Sequence, residues 1–226
     1  MQAFQICDSI ACINNTPLQG NVYISLTVGI GFASRRIRVR ENVIFIGAAT
    51  ANVYFNYVKA LLKNKYALDV GVSVSMNATS LYWKATETTY ADDIQTVINV
   101  LFSQTIDETL LTQEKQATMV RFKNQYKDLE FRARLKMMEF SHKNKDYTLK
   151  HFTEDLLHVT VKNVQKMREY LLFPQNLFLF IHGAVKKKTL KQLNVPKINQ
   201  VPIQYVYRLE HYDFFQDEAF IKKSKY

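Results

Sequence analysis

Between Thr109 and His142 the chain runs without a glycine or a proline and consists largely of strong helix formers. That stretch predicts a single helix of about 50 Å at the usual α-helical rise. Such a strut needs a core to lie against, and the composition supplies one. The 226 residues are 47% hydrophobic and 13% aromatic, enough for one large or two small domains.

Short β-rich runs open the sequence. Ala3 to Cys7 and Ile10 to Ile13 flank a turn-like Asp8-Ser9, which predicts a hairpin or two adjacent strands. Asn21 to Val28 is a third strand whose near-continuous apolar character predicts burial on both faces, and Gly29-Ile30-Gly31 ends it. Helical spacing follows around Ile37, Asn42, Val43 and Ile44, and again from Val53 to Asn64, where Tyr54, Val58, Leu61 and Leu62 share a side. Two helices are therefore expected before the next strands. Leu68 to Met76 alternates at period two, and Ser80 to Thr86 matches it across the turn Asn77-Ala78-Thr79, giving a second hairpin. Asp92 to Phe102 is amphipathic. Thr160 suits the N-cap of a helix reaching Tyr170, Leu177 to Ile181 reads as an apolar strand, and Lys187 to Leu193 as a short last helix. Residues 1–194 thus form one α+β domain. From Val195 to Tyr226 the pattern loses its period and reads as an extended tail or connector.

A net charge of +10 raises the question of nucleic acid. The basic residues are interleaved with acids, as in Arg121, Lys123, Lys127, Asp128, Glu130, Arg132 and Arg134, and the one dense cluster is Lys186-Lys187-Lys188. Interleaving of this kind is the mark of solvated helix faces and argues against nucleic acid as the partner. The surplus fits an acidic partner subunit, an anionic membrane surface or a mitochondrial matrix setting equally well. No apolar run is long enough to span a bilayer and the first residues lack a signal-peptide pattern, so the cytoplasm or mitochondrial matrix is expected. Cys7 and Cys12 have no later Cys pair, which excludes a four-cysteine zinc site and leaves them as reduced, half-buried strand residues.

Arg38-Val-Arg-Glu41-Asn42 has the outline of the inverted zinc-peptidase motif H-x-x-E-H with both histidines missing. On a helix, residues four apart share a face, so two histidines can grip one zinc while the glutamate between them handles the proton of water. Arginine offers no lone pair to zinc and an asparagine amide is a poor substitute for imidazole. Glu41 is vestigial at most.

Several phrases in order extend this outline. Ile24 to Val28 leads into Gly29-Ile30-Gly31, Val43-Ile44-Phe45-Ile46-Gly47 follows the degenerate motif, and Ala67 to Trp83 gives paired strands. Glu114-Lys115-Gln116-Ala117 opens the long helix, and Val159 to Val164 and Pro174-Gln175-Asn176 lead into Leu177 to Gly183. In that order the chain, from about Ile10 to Leu193, resembles one half of the pitrilysin and insulinase type of zinc peptidases. Relatives of that family include mitochondrial processing peptidase and the core proteins of the cytochrome bc complex. The resemblance implies a mixed, largely antiparallel sheet with helices packed on one face. It also implies a third zinc ligand on the long helix, seven residues after Glu114. That position is Arg121, 79 residues beyond Asn42. With Arg38, Asn42 and Arg121 in the ligand positions, two of them cationic, neither zinc nor another cofactor is expected.

Other chemistry finds little support. His151 and His158 bracket Glu154 and Asp155, a weak metal pattern beside the commoner surface role of such residues; His142, His182 and His211 are isolated. No G-x-S-x-G, oxyanion loop or P-loop is present. Trp83 sits in an alternating strand and reads as core. Tyr205, Tyr207, Tyr212, Phe214 and Phe215 form an aromatic group in the tail, which either folds back on its own domain or docks a partner. The resemblance implies a non-catalytic subunit that pairs with a zinc-bearing homologue to form a peptide-binding or peptide-processing chamber. The alternative it implies is a scaffold subunit of a large mitochondrial or membrane complex.

Overall fold

The computed structural model describes residues 2–6, 9–16, 19–31, 36–39, 43–75, 78–103, 105–141, 149–172, 176–196 and 206–208. Strands β1 (Gln2–Ile6) and β2 (Ser9–Asn14) form the expected antiparallel hairpin. With β3 (Asn21–Val28), β6 (Gly71–Val74), β7 (Thr79–Thr86) and β8 (Leu177–His182) they build a six-stranded sheet of order β1-β2-β8-β3-β7-β6. Only the β2–β8 pair is parallel; every other neighbour runs antiparallel. The sheet is mixed and largely antiparallel, as expected.

Helix α1 (Gly47–Tyr66) is the hub of the helical layer. It meets β6 and β7 on one side and α2 (Tyr90–Leu101), α3 (Glu108–Gln125), α5 (Leu149–Leu157) and α6 (Val161–Leu171) around the rest. Val53, Tyr54, Phe55, Val58 and Leu62 of α1 are buried against Ile24, Leu26, Leu81, Ile94, Val97 and Met167 in one continuous core. The Tyr54 hydroxyl donates to the Leu101 carbonyl at 2.5 Å, and burial pushes its ionisation well above the ordinary tyrosine range. Trp83 is buried in the same core, and so is Val195. Short α7 (Lys187–Leu190) follows β8. The turn after β8 needs Gly183: its φ is +147°, and a Cβ there would meet the Asn21 carbonyl at 2.7 Å.

Four expectations change. The motif region is not helical: Arg36–Val39 (β4) and Val43–Ile46 (β5) pair antiparallel, with Arg38 opposite Ile44, and Val206–Arg208 (β9) adds to β4 in a second, three-stranded sheet. Ile37-Arg38-Val39 alternates at period two, and β-branched Ile37, Val39, Val43, Ile44 and Ile46 favour extended backbone. One helix and a hairpin therefore stand where two helices were expected.

The long helix is also broken, into α3 and α4 (Leu129–Ser141). Asp128 is the cause. Its side chain accepts from the Glu130 N–H at 2.9 Å, and its carbonyl accepts the Arg132 N–H at 3.1 Å, so it caps a new helix, while tighter turns carry Lys127 and Asp128 out of the old one. Neither glycine nor proline is required for such a break.

Strand β3 is buried on one face only: Val22, Ile24, Leu26 and Val28 point into the core while Tyr23 is 49% exposed. Finally, α5 was not foreseen. The N-cap at Thr160 is as expected, accepting from the Asn163 N–H at 3.2 Å.

Candidate functional site

A cavity of about 610 Å3 opens where α1, β6, α3, α4 and α5 meet. Each wall has a local reason. On α1, Asn52, Asn56 and Lys59 recur at helical spacing on the side away from buried Tyr54 and Val58, and line the cavity. The Asn56 amide donates to the Asn52 carbonyl at 2.8 Å and reaches the Asn52 side-chain oxygen at 3.2 Å, which fixes both carboxamides. On β6, Val72 and Val74 face inward by strand alternation.

Helix α3 supplies Thr118, Arg121, Phe122 and Gln125. Its start is pinned twice: Asp107 accepts from the Leu110 N–H at 3.0 Å, and the Asp107 N–H donates to the Tyr57 hydroxyl of α1 at 3.0 Å. Farther along, the Lys115 ammonium donates to the carbonyls of Leu157 and Val159 at 2.8 and 3.1 Å, tying α3 to the end of α5. Phe122 then anchors the floor, edge-on to Phe131 of α4 with centroids 5.6 Å apart and tilted on Phe152 of α5 at 4.2 Å.

Arg121 stands on this frame. Its Nη2 donates to the buried Thr118 hydroxyl at 2.8 Å and lies 3.5 Å from Glu114. Arg134 of α4 completes the rim, 3.8 Å from Glu130. The described lining side chains are amides, cations, the hydroxyls of Ser75 and Thr118, and apolar valines, phenylalanines and Leu135, with no imidazole, thiol or carboxylate among them. Such a donor set does not suit zinc, whose protein ligands are His, Cys, Asp and Glu. It is suited to donating hydrogen bonds to an anion or a carbonyl.

Arg121 is thus the one described member of the expected ligand set that reaches this cavity. Arg38 lies on β4, and Asn42 and Glu41 fall outside the described residues, as do Tyr205, Tyr212, Phe214 and Phe215; Tyr207 lies on β9, paired with Arg38. Sequence reasoning missed Asn52 and Asn56. Their spacing of four on the polar side of an otherwise apolar helix was the available signal. Of the histidine group, Asp155 is buried and Glu154 and His158 face solvent, the His151 side chain lies outside what is described, and no metal-binding group of three or more occurs among the described residues. Cys12 is a half-buried free thiol on β2; Cys7 lies outside the described residues. None of the described helices is long and apolar enough to cross a membrane.

The other face of the large sheet carries no helix contact from α1 and is aromatic. Tyr23, Tyr82, Phe178 and Phe180 are each 42–50% exposed on adjacent strands β7, β3 and β8. The Tyr82 ring lies across Gly71, where a Cβ would clash at 2.2 Å.

No family model matches the chain, and no curated protein matches it in sequence. Solved structures do match in fold. An M16-like peptidase from Alicyclobacillus acidocaldarius superposes with a TM-score of 0.73 at 12% identity, over 92% of this chain and 52% of that one. A chain of complex III2 from Candida albicans gives 0.68 at 12% identity, over 91% and 49%. A peptidase M16 inactive domain from Pseudomonas fluorescens gives 0.65 at 10% identity, over 89% and 53%. The chain spans about half the length of these structures. Its fold is that of one M16 half, as the sequence resemblance implied.

Proposed function

We propose that this chain is a non-catalytic M16-type half that pairs with a zinc-bearing homologue and helps hold peptide in the chamber between them. The observation that carries this reading is the cavity itself. Where α1, the edge strand β6 and the ligand-bearing helix converge, the chain presents Asn52, Asn56, Lys59 and Arg121 in place of zinc ligands. In this reading Asn52 and Asn56, four apart on the cavity-facing helix, stand in for the paired histidines more naturally than Arg38 and Asn42. Arg121 stands in for the third ligand under either assignment. A half that cannot hold zinc can still shape the chamber and donate a strand edge to peptide.

The similarity in fold to an inactive M16 domain supports a pairing role. Beyond Val195, which packs in the core, and the β9 residues that pair with β4, the rest of residues 195–226 would serve as the connector or docking segment toward the partner. The similarity to a chain of complex III2 favours a second reading, a scaffold subunit of a large mitochondrial or membrane complex.

The test is direct. The purified full chain should retain no stoichiometric zinc after dialysis and cleave no peptide, whereas mixing it with a homologue carrying an intact H-x-x-E-H should yield a stable heterodimer with peptidase activity. One zinc per chain, lost on substituting Asn52 or Asn42, would sink the reading. Tight incorporation into a membrane complex with no peptide binding would favour the scaffold.

A further inference from the structure

The cavity is one-sided in charge. Among the described residues its lining carries Lys59, Arg121 and Arg134 and no carboxylate. Glu130 reaches Arg134 at 3.8 Å on the exposed rim, where solvent screens the pair, and the less exposed Glu114 reaches Arg121 through one contact of 3.5 Å, at the long end of ion-pair distance. Both hydrogen bonds of Arg121 to Thr118 and Glu114 use Nη2, so the guanidinium is oriented by protein while its remaining donors point elsewhere. A planar fork held by one corner is preorganised for a carboxylate. On the opposite wall Asn56 donates to the Asn52 side-chain oxygen, which orients the Asn52 carboxamide and leaves its own amide N–H groups as donors.

Strand β6 gives this charge a peptide context. Among the described strands it ends the sheet order with β7 as its one neighbour, so its outer edge offers unpaired backbone groups. Val72 and Val74 of that strand line the same cavity. An extended segment added along β6 sets alternate side chains over the cavity, within reach of the cations, with Phe122, Phe131 and Phe152 forming an apolar floor beside them.

We infer that the cavity selects an extended peptide carrying a carboxylate, supplied either by an Asp or Glu side chain or by the peptide's own C terminus. The inference rests on the peptide-holding reading above and specifies its ligand class.

The test uses the full chain and four fluorescently labelled versions of one Thr/Val-rich peptide. One has an internal Glu and an amidated end, one an internal Gln and a free C-terminal carboxylate, one Gln with an amidated end, and one Lys with an amidated end. Fluorescence anisotropy should show one carboxylate peptide binding about tenfold more tightly than the neutral one, which identifies the source of the carboxylate. The Lys peptide should bind weakest, and the preference should shrink with added salt. Arg121→Gln and Lys59→Gln should each erode the preference several-fold while the far-ultraviolet circular dichroism stays unchanged. Equal binding of all four peptides would overturn the charge selection and leave peptide holding intact. Binding of none would overturn both.

Discussion

Helices α1 and α3 wall the same cavity, yet they are built on opposite principles. Helix α1 is buried along most of its length, and before its exposed last turn its cavity-facing Asn52, Asn56 and Lys59 interrupt a mainly apolar surface. Helix α3 fully buries only Leu111, Thr118 and Phe122, half-buries a few others such as Leu110 and Met119, and exposes the rest. The first wall is fixed by packing. The second is held by a few pins, at Asp107, Lys115 and Phe122, and carries the charge. The contrast places stability in one wall and ligand chemistry in the other.

Four substitutions press on this contrast, in falling order of effect. Phe55→Ala in α1 removes a fully buried ring from the hub and should cost about 3–5 kcal/mol in denaturant unfolding; a loss below about 1 kcal/mol would show that α1 is not the rigid wall. Asp107→Ala removes the cap of α3 and should cost about 1 kcal/mol, with faster amide exchange confined to the first turn of that helix. Ala67→Gly should stabilise the chain by about 0.5–1 kcal/mol, because Ala67 ends α1 at φ +52° where a Cβ is disfavoured; an unchanged melting midpoint would argue against strain there. Arg121→Gln should shift stability by less than about 0.5 kcal/mol, since its side chain is 49% exposed. A large loss at Arg121 would erase the distinction between the two walls.

The same contrast explains what was legible in the chain. Strands β2, β3 and β7 and helix α2 were readable because their periodicity is local, and the turn chemistry around them is local too. The break at Asp128 was hidden, since a single aspartate capping a new helix leaves no compositional gap. The hairpin of β4 and β5 was misread because Ile37-Arg38-Val39 and Val43-Ile44 satisfy helical and extended patterns alike over so short a run, and the motif outline favoured the helix. Arg121 was singled out from its distance to Glu114, and the structure places it on the cavity wall. Asn52 and Asn56 were passed over: their spacing of four was legible, but what faces them is not a property of the local sequence.

The sequence alone determined which segments could be strands or helices, that the fold resembles a peptidase half, and that the expected ligand positions lack zinc donors. Side-chain type and near-neighbour spacing are properties of the chain itself. Only the tertiary structure decided which of those residues share a cavity. Asn52, Val72, Arg121 and Phe152 are far apart along the chain and meet because α1 packs beneath β6 and β7 while α3 and α5 close against it. That meeting is set by how apolar faces exclude water over the whole domain, and no local pattern encodes it.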